Sequence, residues 1–513
     1  MARLFDEGRF LEAAALFDEN SRAQVPKLDE SFLRARLYLR EAHMEHRAIS
    51  LLNGVKTSKQ NRDFVEREML LGEAYAVAEA RAFTKDFRAA DERFKAAMSA
   101  ATDIADPELL AQVAYRLGRR HAVAANEPQK AREALALARG GSSLESRLDA
   151  QHLESWILSR EGRVRDQARI LSELLRSIDP NSPRHMEHRA RATQTLAAIA
   201  REAFLPEAIP LVERHLGGVP WPDDFRVARF QATKAIAWAK ALQGDYFNAF
   251  RYLKQSATVA PDDAWRAVAL SDRAYLAHVR GEQTWFRQEL SDAQEAAEAA
   301  DWIRREDESP VALLLLAELL APFNAAEASG YLTQFRALGE IQNSRSLLRD
   351  DERFQALVDY STGVVDMHLG NRKLAVSRLQ SAMRTYERVG FEWRAARAAL
   401  RLFDATKKNS FLTLAEGWLR HYPASWLVDE LRARRTSKAV ETGLSPMRDR
   451  VFRLLCEGKS NIEIAAQLGL SVSTIANHAK AVLSAFDVRS RHALVAEAMR
   501  RGIIQPAGPE APR

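Results

Sequence analysis

A short polar run near the end of the chain, from Ser471 to Lys480, has the side-chain types that can read DNA. An amide such as Asn477 suits adenine, and a lysine such as Lys480 suits guanine or a phosphate. Hydroxyl groups and the N-terminus of a helix suit phosphate oxygens. If the run is helical, it has one outward face. The residues predicted on that face are Ser473, Thr474, Ala476, Asn477 and Lys480.

The residues that precede this run predict two short helices. Ser445 can cap a helix that begins at Pro446, because the first helical position has no N–H partner to lose. Gly458 is suited to end that helix, which predicts a span of 446–457. A second helix is predicted over 461–468. Its supporting residues are the capping-box pair Ser460 and Glu463, the inward residues Ile464, Ala465 and Leu468, and the turn residue Gly469.

A third helix is predicted to begin after Ser471 or Ser473, either of which can cap its N-terminus. Its inward residues are predicted to be Ile475, Val482, Leu483 and Phe486. Two short helices joined by a tight turn are typical of a helix-turn-helix, whose second helix lies in the major groove of DNA. The polar face described above is then expected to contact base edges and phosphates.

Residues Leu444 to about Met499 resemble the LuxR-type DNA-binding domain almost without gaps. The resemblance rests on L-S-P…V-F-R-L-L-C-E-G-K-S-N-I-E-I-A-A-Q-L-G-L-S-V-S-T-I-A-N-H…F-D-V-R-S-R-H-A-L-V. It implies a four-helix domain that binds promoter DNA, usually as a dimer, with the dimer interface on a fourth helix over 491–501. The interface residues that this implies here are Leu494, Val495, Ala498 and Met499.

Two positions depart from the family's pattern. Family members commonly carry lysines where this chain has Ser473 and Ala476, and each missing phosphate contact weakens binding and lowers its salt dependence. The basic residues that can compensate are Lys480, Lys459, Arg448 and Arg489. A sigma-factor-like promoter-recognition domain has a similar four-helix motif. The signature Glu457-Gly458…Ser460-Asn461…Glu463-Ile464-Ala465 favours the LuxR type over that alternative.

Residues 1 to about 435 repeat one pattern: a helix end, a polar or glycine turn, and a second helix with an alanine near its start. Ala13, Ala48, Ala89, Ala131, Ala168, Ala208 and Ala249 are separated by 35, 41, 42, 37, 40 and 41 residues. The pattern resembles tetratricopeptide-type hairpins, with a longer and less regular period. About ten hairpins are predicted to stack into a right-handed α-solenoid with a concave surface. Met1 is only about one helical turn before Gly8, so the first hairpin is expected to have a truncated leading helix.

The predicted fold class is therefore all-α: an N-terminal α-solenoid of helix hairpins followed by a C-terminal four-helix helix-turn-helix domain. The predicted domains are a sensing and interaction region at 1–435, a basic linker at 436–443, the DNA-binding domain at 444–504 and a disordered tail at 505–513. Residues 441–504 hold nine Lys and Arg against six Asp and Glu, a net of +3 in a chain of net charge +6. This asymmetry is consistent with a nucleic-acid partner.

The single cysteine, Cys456, excludes an internal disulfide and favours a reducing compartment. The N-terminus lacks the apolar core of a signal peptide. The longest apolar run, over 311–322, contains Glu318 and is too short to span a bilayer. We therefore expect a cytoplasmic protein, associated with the nucleoid when bound to DNA, and no membrane partner.

The sequence also disfavours an enzyme. It contains no complete phosphate-binding loop, no alternation of strands and helices, and no recognisable set of nucleophile, base and orienting group. His185 and His188 lie at helical spacing, but they have no third ligand nearby that would indicate a metal site. We therefore expect no cofactor and no metal.

The leading hypothesis is a sequence-specific transcriptional regulator that binds double-stranded promoter DNA as a homodimer. Its solenoid would bind a protein, a peptide or a small ligand. The alternative is a protein-interaction scaffold with a weak or vestigial DNA-binding domain. Aromatic residues of the middle repeats either fill the core between repeats or line the concave surface. They are Trp221, Trp238, Tyr246, Phe247, Phe250, Tyr252, Trp265 and Tyr275.

Overall fold

The computed structural model describes residues 9, 10, 12, 28–39, 44–58, 61–81, 86–124, 126–302, 309–342, 352–438, 444, 446–468, 470–500 and 503. Within these residues all regular secondary structure is helical, as predicted. The chain divides into two compact units, Met1–Leu427 and Val428–Arg513. Several predicted features lie outside the described residues. They are the Gly8 turn, Ala13, residues 439–443 of the linker, Ser445, Gly469 and the tail at 505–513.

The described part of the first unit contains ten consecutive helix hairpins, which confirms the predicted solenoid of hairpins. Their helices are α1 Leu28–Tyr38, α2 Glu45–Gly54, α3 Arg62–Arg81, α4 Arg88–Ile104, α5 Pro107–Arg119, α6 Pro128–Ala138, α7 Leu144–Arg160, α8 Val164–Ser177, α9 Met186–Glu202, α10 Ile209–Leu216, α11 Arg226–Leu242, α12 Tyr246–Val259, α13 Asp263–Val279, α14 Gln283–Ala299, α15 Val311–Leu320, α16 Ala325–Gln342, α17 Glu352–His368, α18 Arg372–Arg388, α19 Glu392–Thr406 and α20 Asn409–Leu419. A further helix, α21, spans Trp426–Lys438.

An alanine near the start of the second helix of a hairpin allows that helix to lie close to its neighbours. The alanines in this position that are almost completely buried are Ala48, Ala131, Ala168, Ala249, Ala328 and Ala375. One position differs from the sequence pattern, because Ala90 rather than Ala89 is buried in α4. In α14 the bulkier Phe286 takes the alanine's position and is buried.

One hairpin turn lies against the chain that follows the last hairpin. Gly244, between α11 and α12, has a φ of 79°, in the left-handed region that glycine adopts without strain. A Cβ atom at this position would lie 2.9 Å from the carbonyl oxygen of Ala424. A glycine is therefore required both by the turn and by the close approach of a segment 180 residues later.

Hairpins five and ten also contact each other directly. Glu202, at the end of α9, accepts hydrogen bonds from Trp393 Nε1 at 3.1 Å and from Arg394 Nε at 2.8 Å. Trp238 of α11 packs against Trp393 and Trp426, with ring centroids 6.3 and 5.6 Å apart. These contacts join α9 and α11 to α19, far beyond the neighbouring repeats.

The described helices of the second unit are α22 Pro446–Cys456, α23 Asn461–Leu468, α24 Val472–Ala485 and α25 Arg491–Arg500. The bounds of α22, α23 and α25 agree with the predicted helices to within one residue, and α24 begins directly after Ser471. The core that they enclose includes the fully buried Val451, Ile464, Ile475 and Leu494. Phe452 and Phe486 stack within it at a centroid distance of 4.8 Å. In the part of the chain that the structure describes, no helix has the length and apolar character needed to cross a membrane.

Candidate nucleic-acid interface

The N-terminus of α24 carries three hydroxyl groups. Ser471 has extended backbone angles, and its Oγ accepts a hydrogen bond from Thr474 N at 3.1 Å, so Ser471 rather than Ser473 is the cap. Ser471 Oγ also lies 2.8 Å from Ser473 Oγ and 2.7 Å from Thr474 Oγ1. The hydroxyls therefore lie together at the helix end that favours an anion.

The two faces of α24 have opposite characters. Ile475, Ala479 and Val482 are buried in the core, whereas Ser473, Ala476, Asn477 and Lys480 are exposed. Thr474 is half-buried. The amide of Asn477 and the ammonium group of Lys480 can therefore reach a ligand without disturbing the packing of the helix.

The turn between α22 and α23 is held by two helix caps, one at the end of α22 and one at the start of α23. Gly458 has a φ of 82°, and Lys459 N donates to Leu454 O at 3.1 Å, which ends α22. Glu463 N then donates to Ser460 Oγ at 3.3 Å, while Ser460 N donates to Glu463 Oε2 at 2.7 Å. The predicted capping box is confirmed, and the backbone hydrogen bond from Ser460 lowers the pKa of Glu463.

Arg491 connects the fourth helix to this turn. It donates from Nη1 to Lys459 O at 2.7 Å, and it also donates to the side chain of Asn461. This role of Arg491 was not predicted from the sequence, where its only signal is a basic residue at the start of α25. Arg491 fixes the turn that precedes α23 against α25 and so helps to orient the helix pair.

The remaining predicted contact residues occupy different parts of the unit. Arg448 on α22 and Arg489 after α24 are exposed, whereas Lys459 in the turn is half-buried. Their contact with DNA stays a prediction, as does that of the α24 residues.

The four residues predicted at the dimer interface divide into two pairs. Leu494 and Ala498 are fully buried in the core, whereas Val495 is half-buried and Met499 is 41% exposed. Val495 and Met499 are therefore the members of the set that remain accessible to a second copy.

Cys456 at the end of α22 is half-buried against the same core. Burial, together with the charge of Glu457, raises the pKa of its thiol to about 11. Because the thiolate is the reactive form, this cysteine has the properties of a packing residue.

The first unit contains a large cavity of about 2400 Å³ that is partly open to solvent. Its lining comes from hairpins two to ten and mixes charges of both signs with aromatic rings such as Trp156 and Tyr386. Gln194 of α9 donates to Gln231 of α11 beside the cavity. A cavity of this size and mixed polarity can hold a peptide or a sizeable organic molecule.

Only one of the eight middle-repeat aromatic residues, Trp265, lines this cavity. Trp221, Trp238, Trp265 and Tyr275 are buried between helices, Tyr246, Phe250 and Tyr252 are half-buried, and Phe247 is 81% exposed. For most of the set the structure therefore favours packing between repeats over a role on the concave surface.

A buried cluster of titratable groups lies between α7 and α9. The rings of His152 and His188 stack at 5.0 Å, and His188 Nε2 lies 3.0 Å from Glu145 Oε1 and 3.7 Å from Asp149 Oδ1. Burial raises the pKa of Asp149 to about 7, although His188 and Arg116 act in the opposite direction. Among the described residues no group of three ligands suited to a metal ion is found.

This cluster predicts a pH-dependent stability. The pKa of Asp149 is higher in the folded state. Between about pH 4 and pH 7 the folded protein therefore still holds a proton that the unfolded chain has already released. The stabilisation is therefore present at low pH and lost as pH rises through about 7. We expect Asp149→Asn to reduce the difference in free energy of unfolding between pH 5 and pH 8, measured by urea denaturation. The exposed Asp103→Asn is the control, and an equal pH difference in all three proteins would contradict the prediction.

Comparison with known proteins identifies the second unit. Residues 442–498 match the family described as bacterial regulatory proteins, luxR family, and so form a DNA-binding domain of that family. No curated protein matches the chain. The solved structures similar to it include the apo form of the quorum sensor NprR from B. thuringiensis, at 12% identity, over 72% of this chain and 98% of that chain, with a TM-score of 0.38.

Two further solved structures are similar over much of the chain. One is a signal transduction ATPase with numerous domains and a tetratricopeptide repeat sensor from Pyrococcus horikoshii, at 11% identity, over 92% of this chain and 67% of that chain, with a TM-score of 0.27. The other is the Cut9-Hcn1 hetero-tetramer of APC/C, at 13% identity, over 83% and 92%, with a TM-score of 0.23. Similarity at this level gives no ground for transferring a ligand or a partner.

Proposed function

We propose that this chain, whose residues 442–498 form a luxR-family domain, is a sequence-specific transcriptional regulator of promoter DNA. The observation that carries the proposal is the division of α24 into a buried apolar face and an exposed face with Asn477 and Lys480. An exposed amide and an exposed lysine on one helix face can bond base edges and phosphates in a major groove. Such a protein acts where the DNA is, and we expect it in the cytoplasm.

The proposed DNA-bound form is a homodimer. Val495 and Met499 on α25 are accessible and apolar, as a contact between two copies requires. A two-fold dimer would place two copies of α24 on half-sites about one helical turn of DNA apart. The proposed operator is therefore an inverted repeat.

The proposed signal binds in the cavity of the helical repeats. A ligand can change DNA affinity only to the extent that it binds one arrangement of the protein better than another. The cavity is lined by residues from hairpins two to ten, so a ligand there contacts both early and late repeats. Peptides and small organic molecules are the two ligand classes that its volume and mixed lining suit.

A second candidate function is a protein-interaction scaffold with weak DNA binding. The observation in its favour is that Ser473 and Ala476, both exposed on α24, contribute no positive charge toward a phosphate. Fluorescence anisotropy of the full-length protein with genomic DNA fragments and scrambled fragments separates the two candidates. A preference for particular fragments supports the regulator. Equal binding of all fragments at low salt would support the scaffold.

The same titration, repeated with two variants, tests the individual contacts. We expect Asn477→Ala to weaken binding by about 1–3 kcal/mol and to relax the preference among fragments. We expect Lys480→Ala to lower the slope of log affinity against log salt by about one unit, the signature of a phosphate contact. Lys373→Ala, which removes an exposed lysine of α18, is the matched control. An unchanged slope in Lys480→Ala would exclude the phosphate contact.

A further inference from the structure

We propose that Val472 reads the methyl group of a thymine in the operator. This inference rests on the proposed function, because it assigns one further base contact to the DNA-binding face of α24. The side chain of Val472 is apolar and 46% exposed. It directly follows the cap Ser471, at the end of the helix whose residues contact base edges in a helix-turn-helix. Val472 therefore lies where the DNA sequence is read.

Val472 belongs to the same exposed face as the predicted contacts of α24. Positions 472, 476 and 480 are four residues apart, so Val472, Ala476 and Lys480 are neighbours along one side of the helix. All three are exposed, whereas Ile475 and Ala479 are buried in the core. A major groove that admits Lys480 therefore also meets the apolar side chains of Val472 and Ala476.

An apolar side chain on this face has one matching group in the major groove. The base-pair edges there present hydrogen-bond donors and acceptors, and thymine adds a methyl group. Val472 has no side-chain donor or acceptor, so packing it on a polar base edge would leave that edge unsatisfied. Packing against the thymine methyl group instead removes apolar surface from water on both partners. The expected partner of Val472 is therefore an A·T pair.

The backbone around Val472 is held in place before DNA binds. Ser471 Oγ accepts a hydrogen bond from Thr474 N at 3.1 Å and lies 2.8 Å from Ser473 Oγ. Valine is branched at Cβ, and one side-chain rotamer dominates in a helix. Contact with a methyl group therefore costs Val472 little conformational entropy. The small side chain of Ala476 leaves room for the close approach that such a contact requires.

The test removes the methyl group from the DNA. The fragments of the anisotropy titration are made once with thymidine and once with deoxyuridine, which forms the same pair with adenine but lacks the methyl group. The full-length wild type should bind the preferred fragment at least about fourfold more weakly when it contains deoxyuridine, the effect of one lost methyl contact. Replacement of one thymine at a time then locates the contact. Scrambled fragments should bind equally in both forms.

A valine variant shows whether the methyl contact belongs to Val472. Val472→Ala shortens an exposed side chain, so α24 should remain folded. The variant should bind the thymidine fragment about fourfold more weakly than the wild type does, and deoxyuridine should then weaken its binding by less than about twofold. Val227→Ala, at the second position of α11, is the matched control, because Val227 is 37% exposed. It should keep the full difference between thymidine and deoxyuridine.

The possible outcomes separate this contact from the proposed regulator. A preference among fragments without any effect of deoxyuridine would overturn the contact and leave the regulator standing. An equal effect of deoxyuridine in the wild type and in Val472→Ala would also overturn it, because another residue would then hold the methyl group. If no fragment is preferred, the regulator fails and the base contact fails with it.

Discussion

Substitution of Ile475 by aspartate is expected to unfold the second unit and abolish specific DNA binding. Ile475 is fully buried among the helices of the helix-turn-helix, next to Ile464 and Val482 in the same core. An aspartate there would lose the apolar burial of isoleucine and place an unpaired carboxylate in a dry site. The combined cost of about 4 kcal/mol or more is a large part of the stability of a small domain. DNA affinity should fall to the level of non-specific binding.

The neighbouring position provides the control for this experiment. Ala476 is exposed, so Ala476→Asp should leave the fold intact and weaken DNA binding through repulsion from phosphates. Limited proteolysis of the full-length proteins distinguishes the two variants, because only Ile475→Asp should expose the second unit to rapid cleavage. Protection of Ile475→Asp equal to that of the wild type would show that the position is not in the core.

The second large effect is expected at Glu202, where we predict that Glu202→Gln lowers the free energy of unfolding by about 3–5 kcal/mol. Glu202 is buried and pairs with Arg201 at 2.5 Å and with Arg394 at 2.8 Å. A neutral amide would leave two half-buried guanidinium groups without their counter-charge. Burial alone would raise the pKa of Glu202, but Arg201 and Arg394 outweigh it and hold the pKa at about 2.

The direction of the pKa shift gives this prediction a pH signature. Because the folded-state pKa lies below the ordinary value of 4.5, the stabilisation by Glu202 is present above pH 4.5 and is lost as pH falls toward 2. Urea denaturation should therefore show the largest difference between the wild type and Glu202→Gln near neutral pH. Glu387→Gln, an exposed change on α18, should have no effect. Equal stabilities for Glu202→Gln and the wild type would refute a stabilising role.

The features that could be predicted from the sequence are those set by neighbouring residues. The capping box of Ser460 and Glu463, the cap at Ser471 and the turn at Gly458 all depend on contacts within three or four positions. The apolar face with Ile475 follows from helical periodicity. The repeat of buried alanines was visible for the same reason, because each one belongs to a short local pattern.

The features that could not be predicted depend on residues far apart in the chain. Nothing in the local sequence of Glu202 indicates that its partner is Arg394, 192 positions later. The hydrogen bond from Arg491 to Lys459 likewise depends on tertiary packing.

The contact between hairpins five and ten also affects how the protein folds during synthesis. Most solenoid repeats contact only their neighbours and can fold as they emerge. Here Glu202 must wait for Arg394, which at 5–20 residues per second means a delay of roughly ten to forty seconds. During that interval the buried carboxylate and Trp238 lack their partners from α19. Nascent chains released before α19 is made should therefore be cleaved faster by proteases and bound more readily by chaperones than the complete protein.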